Sequence, residues 1–375
     1  MMLPNGWKKV KLGDVAKVTS GGTPLRTQTE YWNGDIPWVK TAQIQNRHIS
    51  KDQVDEYITE LGVKESSAKI VPKGTLLMAM YGQGKTRGQV AILDIDATIN
   101  QACAAFNLKE NEVSTQYLFQ SFLFNYDNIR NLSNDGGQKN LSAEIIKKIP
   151  LDLPPLEEQK KIAATLSVWD SAIEKMEKFI DAKENELNIV LRQNLLEKGI
   201  ALKWKEIPLK EILKSVTPPS KIHQDSYLNS GKYPIVDQSK DLIAGWTNDE
   251  SSVLKINRPL IIFGDHTCAL KIMHMPFAQG ADGIKILSAK DGYDPTYIYY
   301  AIKANPVIPE GYKRHFSALM LKSILCPSLE EQKKYAVYFK SLDEELSLLR
   351  QQLENYKKQK QGLMQKLLTG QWRVK

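Results

Sequence analysis

Pro154-Pro155-Leu156-Glu157-Glu158-Gln159-Lys160-Lys161 returns 173 residues later (154 against 327) as Pro327-Ser328-Leu329-Glu330-Glu331-Gln332-Lys333-Lys334, and each copy opens a long run with helical spacing. A fainter echo joins Trp7-Lys8-Lys9-Val10-Lys11-Leu12 to Trp204-Lys205-Glu206-Ile207-Pro208-Leu209. Gly370-Gln371-Trp372-Arg373-Val374-Lys375 reads as the start of a third copy. The chain is therefore ordered globule, helix, globule, helix, with expected boundaries at 1–155, 156–203, 204–327 and 328–375. One asymmetric polypeptide built this way imitates a twofold dimer, which suits a target with two halves.

The helical runs carry alternating three-and-four apolar spacing. The first seam is Ile162, Leu166, Trp169, Ile173, Met176, Ile180, Lys183, Leu187, Val190, Asn194; the second is Tyr335, Phe339, Leu342, Leu346, Leu349, Leu353, Tyr356, Lys360, Leu363, Leu367. Such spacing is a coiled-coil seam, and the two align at the same offset as the opening motif. Pro before Leu and the glutamates that follow suit the positive end of a helix dipole. Gly199 and Gly370 are expected to mark the ends. About 40 residues at 1.5 Å each give helices roughly 60 Å long. With a globule between them, antiparallel packing within the chain is the economical arrangement. Lys183, Asn194 and Lys360 interrupt the seams, either fixing register or snorkelling.

Composition sets limits. At 375 residues there is room for two domains and extensions. No apolar run approaches the roughly 20 residues of a bilayer span, and Met1 to Val10 lacks the pattern of a secretion signal. Three scattered cysteines, Cys103, Cys268 and Cys326, suit reduced thiols in a cytoplasm and argue against a zinc site. Net charge is +8, and the excess sits in the globules: 18 basic against 16 acidic residues over 1–155, and 16 against 12 over 199–328. Phosphate-bearing partners fit such surfaces.

Each globule reads as mixed α and β. In the first, strands are expected at Ile36–Lys40, Leu76–Met80, Gln89–Leu93 and Ala104–Asn107, with a helix over Ser114–Asn125. In the second they fall near Tyr233–Val236, Leu260–Phe263, Ala269–Ile272 and Gly283–Leu287, with a helix from Pro295 to Ala304. Ala79-Met80-Tyr81-Gly82-Gln83-Gly84-Lys85-Thr86 lies one residue from a phosphate-binding loop, with Ala79 in place of the first Gly. A helix must follow such a loop. Arg87-Gly88-Gln89-Val90-Ala91-Ile92-Leu93 is strand-like instead, so a hairpin turn is expected. No amino-methylase, dinucleotide or nuclease pattern stands out, and the Asp265-His266 pair reads as a turn or polar contact.

LPPLEEQKKIA at 153–163 and CPSLEEQKKYA at 326–336 resemble the conserved helical regions of type I restriction–modification specificity subunits. Leu12-Gly13-Asp14-Val15 with Ser20-Gly21-Gly22-Thr23-Pro24 resembles the opening of that family's target recognition domains. Ile36-Pro37-Trp38-Val39-Lys40-Thr41 and Leu367-Leu368-Thr369-Gly370 resemble further landmarks. The second globule departs from the pattern, with no Gly-Gly-Thr-Pro after Trp204. The resemblance implies an α+β fold: two related mixed α/β globular DNA-recognition domains separated by two long helices packed as an antiparallel coiled coil. It implies a non-catalytic reader of bipartite double-stranded DNA, whose helices set the gap and dock two methylase subunits, with motor–nuclease subunits joining. Cofactors (S-adenosylmethionine, ATP and Mg2+) would belong to those partners, and no membrane is involved.

Base reading needs side chains with paired donors and acceptors on loops. In the first domain these are Lys40, Thr41, Gln43, Gln83, Lys85, Thr86, Arg87, Gln101 and Gln138, with Tyr81 placed to stack. In the second they are Lys221, Gln238, Ser239, Lys240, His266, Thr267, Lys271, Gln279, Lys313 and Arg314, with Trp246 placed to stack. Two other readings fit the residues alone: a self-sufficient nucleotide-dependent enzyme using the Gly82–Thr86 turn, and a structural adaptor that binds proteins.

Overall fold

The structure, a computed structural model, describes residues 3–82, 84–132, 140–280, 283–311 and 313–374. The chain divides into two compact units: unit 1 is Met1–Lys175 with Leu353–Lys375, and unit 2 is Met176–Gln352. Both long helices pass from one unit to the other, so each unit holds a globule and the helix segments packed on it.

Unit 1 contains strands β1 (Lys8–Lys11), β2 (Ala16–Ser20), β3 (Trp32–Val39), β4 (Arg47–Ile49), β5 (Tyr57–Ile58), β6 (Ile70–Val71), β7 (Leu76–Ala79), β8 (Val90–Leu93), β9 (Ala97–Ile99), β10 (Cys103–Leu108) and β11 (Pro150–Leu153). They form a five-stranded sheet β2-β10-β7-β8-β4, a four-stranded sheet β5-β3-β9-β6 and a pair β1-β11. The unbroken apolar run Leu76-Leu77-Met78-Ala79 follows from burial on both faces of the larger sheet. Leu76 and Met78 join the core beneath helix α1 (Thr115–Phe124), while Leu77 and Ala79 join a second core with Val39, Ile44 and Ile99. β7 and β8 pair antiparallel, Leu76 opposite Ile92, so the glycine-rich segment between them is a hairpin connection as expected.

Unit 2 repeats the plan with different residues. Its strands are β12 (Lys205–Pro208), β13 (Leu213–Val216), β14 (Tyr233–Val236), β15 (Gly245–Thr247), β16 (Val253–Leu254), β17 (Leu260–Gly264), β18 (Leu270–Met273), β19 (Phe277–Gln279), β20 (Ile284–Ala289) and β21 (Ser323–Cys326). The sheets are β13-β20-β17-β18, β15-β14-β19-β16 and β12-β21. Backbone hydrogen bonds reveal the correspondence residue by residue. Asn100 N–H donates to Val39 O, and Gly280 N–H to Val236 O; Met80 N–H donates to Ala102 O, and Asp265 N–H to Gly283 O. Leu141 N–H reaches Met80 O as His315 N–H reaches Asp265 O. Gly88 and Cys268 sit at matching turns with φ of 84° and 54°, and each N–H donates to the matching strand end, Ala79 or Gly264.

The first long helix, α2 (Leu156–Arg192), continues through a π turn at Gln193–Glu197 into a last helical segment, Lys198–Ala201. Unit 2's globule carries helix α3 (Pro295–Ala304), and the final long helix is α4 (Leu329–Leu368). Every position of both expected seams is buried or half-buried. In unit 1, Trp169 meets Tyr356 edge to face and Lys360 Nζ pairs with Asp170. In unit 2, Lys183 pairs with Glu345 at 3.5 Å and Glu184 with Arg350 at 2.6 Å. In unit 1 the contacts run from Glu158–Arg373 to Asp170–Lys360, and in unit 2 from Lys183–Glu345 to Lys198 over the Tyr335 ring; one partner advances as the other retreats, so the pairing is antiparallel within each unit. Asn194 does not reach across: its Nδ2 donates to Val190 O, where the π turn begins.

The duplicated helix starts differ in one respect. Ser328 and Glu331 form a reciprocal cap, Ser328 N–H and hydroxyl both donating to Glu331 Oε2. Pro155 has no N–H to offer, and the matching Glu158 turns elsewhere, accepting from Arg373 Nε at 2.6 Å, Arg373 Nη2 at 2.8 Å and Trp7 Nε1 at 3.3 Å. The expected ends also need one correction. Gly370 does follow its helix with φ of 71°, but Gly199 lies inside the last helical segment. Its lack of a side chain admits Trp204, whose Cε3 would lie 2.8 Å from an added Cβ, and the left-handed residue is Lys203.

Candidate nucleic-acid interface

In unit 2 the parallel strands β14 and β19 finish side by side, and the exit of β17 and entry of β20 close beside them. Together they frame a cleft of about 440 Å³. Gln238 enters it from beyond β14, Gln279 from the end of β19, Asp265 and His266 from beyond β17, and Lys285 from β20; Lys221 and Arg314 complete the rim. Lys285 faces out because its strand neighbours Ile284 and Ile286 are buried, the period-two alternation of a strand.

The cleft is held by a backbone-centred network. Asp265 is buried, and its Oδ1 accepts from the N–H groups of His315 and Phe316 at 2.9 and 2.8 Å. His315, also buried, accepts at Nε2 from Glu310 N–H at 3.0 Å. That acceptor role leaves the proton on Nδ1, which lies 3.2 Å from Asp265 O and donates to it. The segment carrying Arg314 is thereby fixed at the rim. Thr267 donates to Gln238 O at 2.7 Å, tying two of the turns together.

Of the residues expected from sequence in the second domain, Lys221, Gln238, His266, Gln279 and Arg314 meet in this cleft. Thr267 braces it, and Ser239 supports the adjacent turn, its N–H donating to Asp237 Oδ1. Lys240 is exposed, and Lys313 is exposed and paired with Glu310 at 2.5 Å. Trp246 is half-buried on edge strand β15, opposite Pro234. Lys271 requires correction: it is buried, and its Nζ donates to Asp237 O at 2.8 Å, an internal brace whose pKa burial lowers. Sequence reasoning missed Lys285, although the Ile-Lys-Ile alternation was the available signal. Asp265 is the polar contact that its position suggested.

The same place in unit 1 carries Thr41, Tyr81 and Gln101 at the loop ends; Tyr81 and Gln101 are exposed, and Thr23 donates to Gln101 Oε1. Gly21 and Gly22 let the chain pass against β9: a Cβ on Gly21 would lie 1.8 Å from Ile99 O. Lys85 is exposed and Thr86 half-buried. Two expectations are corrected here. Gln43 is buried, accepting from Lys40 N–H at 2.7 Å and donating to Asp55, so its amide is spent on the fold. Arg87 is buried, with Nη2 donating to Arg130 O at 3.0 Å. Gln83 and Gln138 lie outside the described residues.

Lys40 belongs to a charged cluster. Its Nζ meets Asp55 at 3.2 Å and also contacts Glu56, which pairs with Arg26 at 2.5 Å; the Arg26 guanidinium stacks 3.8 Å over the Trp32 ring. Burial raises the Glu56 pKa, but hydrogen bonds from Arg26 and Lys40 outweigh it and hold the carboxyl below its usual range. From Gly21 a groove of about 820 Å³ runs past Lys17, Lys69 and Lys73, which sequence reasoning also missed. Among the described residues no cluster of metal-binding side chains occurs, and no helix is long and apolar enough to cross a membrane.

Two copies of one mixed α/β module, each offering polar side chains at the same strand ends, define a tandem recognition protein. Residues 4–182 match the family described as the type I restriction modification DNA specificity domain. The chain is 30% identical over 262 residues to the type I restriction enzyme MjaIX specificity subunit of Methanocaldococcus jannaschii, covering 65% of this chain and 60% of that relative. It is 23% identical over 433 residues to the MjaVIII specificity subunit of the same organism, covering 100% of this chain and 95% of the relative. It shares the fold of the type I restriction–modification system S subunit from M. genitalium, with a TM-score of 0.63 at 17% identity over 98% of each chain. Residues 4–182 thus carry a type I restriction modification DNA specificity domain, and the whole chain is similar to type I restriction enzyme specificity subunits.

Proposed function

We propose that this chain is the sequence-reading subunit of a type I restriction–modification complex. One recognition domain, 1–155 or 204–327, reads each half of a split double-stranded DNA site, and the paired helices set the gap. The chain makes and breaks no bonds itself. Two methylase subunits dock on it, motor–nuclease subunits join them, and S-adenosylmethionine, ATP and Mg2+ serve those partners in the cytoplasm. The observation that carries this reading is the duplicated hydrogen-bond skeleton: two matching sets of loops, displayed from the same strand ends, hold different side chains. Divergent loops on a shared frame are what two independent half-site specificities require.

The groove beside Lys17, Lys69 and Lys73 suits the phosphate backbone, which supplies affinity without sequence information. The test is binding of the full chain to duplex DNA over a range of salt. Affinity is expected to fall steeply and linearly on a logarithmic scale, with no methyl transfer or cleavage by the chain alone. Methyl transfer by the purified chain, or DNA affinity indifferent to salt, overturns the reading.

A further inference from the structure

We infer that the unit 2 cleft reads a guanine through Arg314 and Lys285, a task the equivalent position in unit 1 does not perform; this rests on the proposed DNA-reading function and assigns its chemistry. The equivalence comes from the shared hydrogen bonds. Ile222 N–H donates to Gln279 O as Gly22 N–H donates to Ile99 O, which sets Lys221 against Gly21. Ile284 pairs with Gly264 as Cys103 pairs with Ala79, which sets Lys285 against Ala104. His315 corresponds to Leu141, and therefore Arg314 to Asn140. Three cations in one cleft thus correspond to three uncharged residues, Gly21, Ala104 and Asn140, at the equivalent positions of unit 1.

The cleft's lining holds one carboxylate, Asp265, against these three cations, so the positive charge stays in excess. Asp265 Oδ1 already accepts two backbone N–H groups at the start of the helix Phe316–Leu321. Among the described residues, neither Arg314 nor Lys285 forms an ion pair; Lys285 Nζ instead lies 5.4 Å from the Phe316 ring centre. In the major groove only guanine offers two acceptors, O6 and N7, with no donor between them, and Arg and Lys are its usual partners. The paired cytosine presents an amine donor. Gln238 Oε1 is buried at the cleft with no hydrogen-bond partner among the described residues, an acceptor suited to such a donor. The concave surface also carries Ile284 and two carboxamides, lining fitted to a base edge.

The test is selection of bound sequences from a random duplex library by the full chain, as wild type, Arg314→Gln, Lys285→Gln and, in unit 1, Gln101→Ala. Melting curves first establish that the variants fold. Wild type is expected to enrich a split motif with guanine in one half. Arg314→Gln and Lys285→Gln should reduce that guanine preference roughly 5- to 100-fold and leave the other half unchanged, while Gln101→Ala affects the other half. If Arg314→Gln weakens retention of all sequences alike, with the motif intact, the residue contacts phosphate and the inference is wrong. A wild-type chain that enriches no sequence overturns the reading function itself, and this assignment with it.

Discussion

Gln159 and Gln332 hold the same buried post in the two units. Gln159 Oε1 accepts from Ser114 N–H at 2.9 Å while its Nε2 donates to Glu112 O and Pro154 O; Gln332 Oε1 accepts from Asp294 N–H at 3.0 Å while its Nε2 donates to Pro327 O. Ser114 and Asp294 are themselves the capping residues of α1 and α3. The glutamine of the repeated motif thus fastens each long helix to the short helix of its own globule. Its repetition in sequence is a packing requirement and says nothing directly about DNA.

Replacing Gln159 with Met should therefore strand a buried N–H and two carbonyls, costing about 2–4 kcal/mol, while Gln332→Met strands fewer groups and should cost about 1–3 kcal/mol. Denaturant unfolding measures both. Loss of less than about 0.5 kcal/mol in each would mean that water replaces the amide and that the junction is not a fastening.

Lys360 interrupts its seam yet is almost wholly buried, with Nζ against Asp170, which also accepts from Gln120 at 2.6 Å. Asp170→Ala should destabilise unit 1 by about 2–4 kcal/mol because the lysine keeps its charge without a partner. Lys360→Met should cost much less, since the stem already packs as a hydrocarbon and Asp170 keeps its glutamine and some solvent. The double variant Asp170→Leu with Lys360→Met should recover most of the loss. If both single variants melt alike, the pair contributes by contact area and not by compensating charge.

The parts legible from sequence are those set by repetition and period. The seams, the antiparallel pairing, β14 and α3 with their limits, and the hairpin after Ala79 all follow from spacing or from the strand-like run that succeeds it. Single side chains on loops were harder. Gln43, Arg87 and Lys271 have the right chemistry to touch DNA but are drawn inward by partners 12, 43 and 34 residues away (Asp55, Arg130 and Asp237). Lys285 belongs to a strand, and its outward direction depends on Ile284 and Ile286 facing the core. Gly199 looked like a helix end because Gly commonly is one, whereas here the indole of Trp204 requires the space.

Acid should loosen the cluster around Lys40. Asp55 and Glu56 are both held below their ordinary values, burial being outweighed by hydrogen bonds from Lys40 and, for Glu56, Arg26. A folded-state value below the unfolded one means that the unfolded chain binds more protons in that window. The stabilisation is therefore complete above the unfolded carboxylate values and is lost as pH falls through the lowered ones. Glu56→Gln should melt below wild type at neutral pH, with the gap narrowing once pH drops beneath about 4.5. A gap that stays constant down to acid would show that shape, not charge, carries the effect.

The helices make the most demanding claim. A whole heptad inserted in both α2 and α4 preserves the three-and-four seam, because seven residues return a helix to nearly the same face, and lengthens each helix by about 10 Å. Insertion between Ile173 and Met176 in α2, with its counterpart between Leu349 and Leu353 in α4, leaves both globules and their clefts intact. If the helices measure the gap, motifs selected by such a variant should keep both half-sites and change only the number of unread bases between them. An insertion of two residues in both helices instead swings the apolar seam outward by about 200° and should abolish cooperative unfolding before it alters any motif. The ruler fails if the heptad variant folds normally yet selects the original gap, or if its half-site letters change.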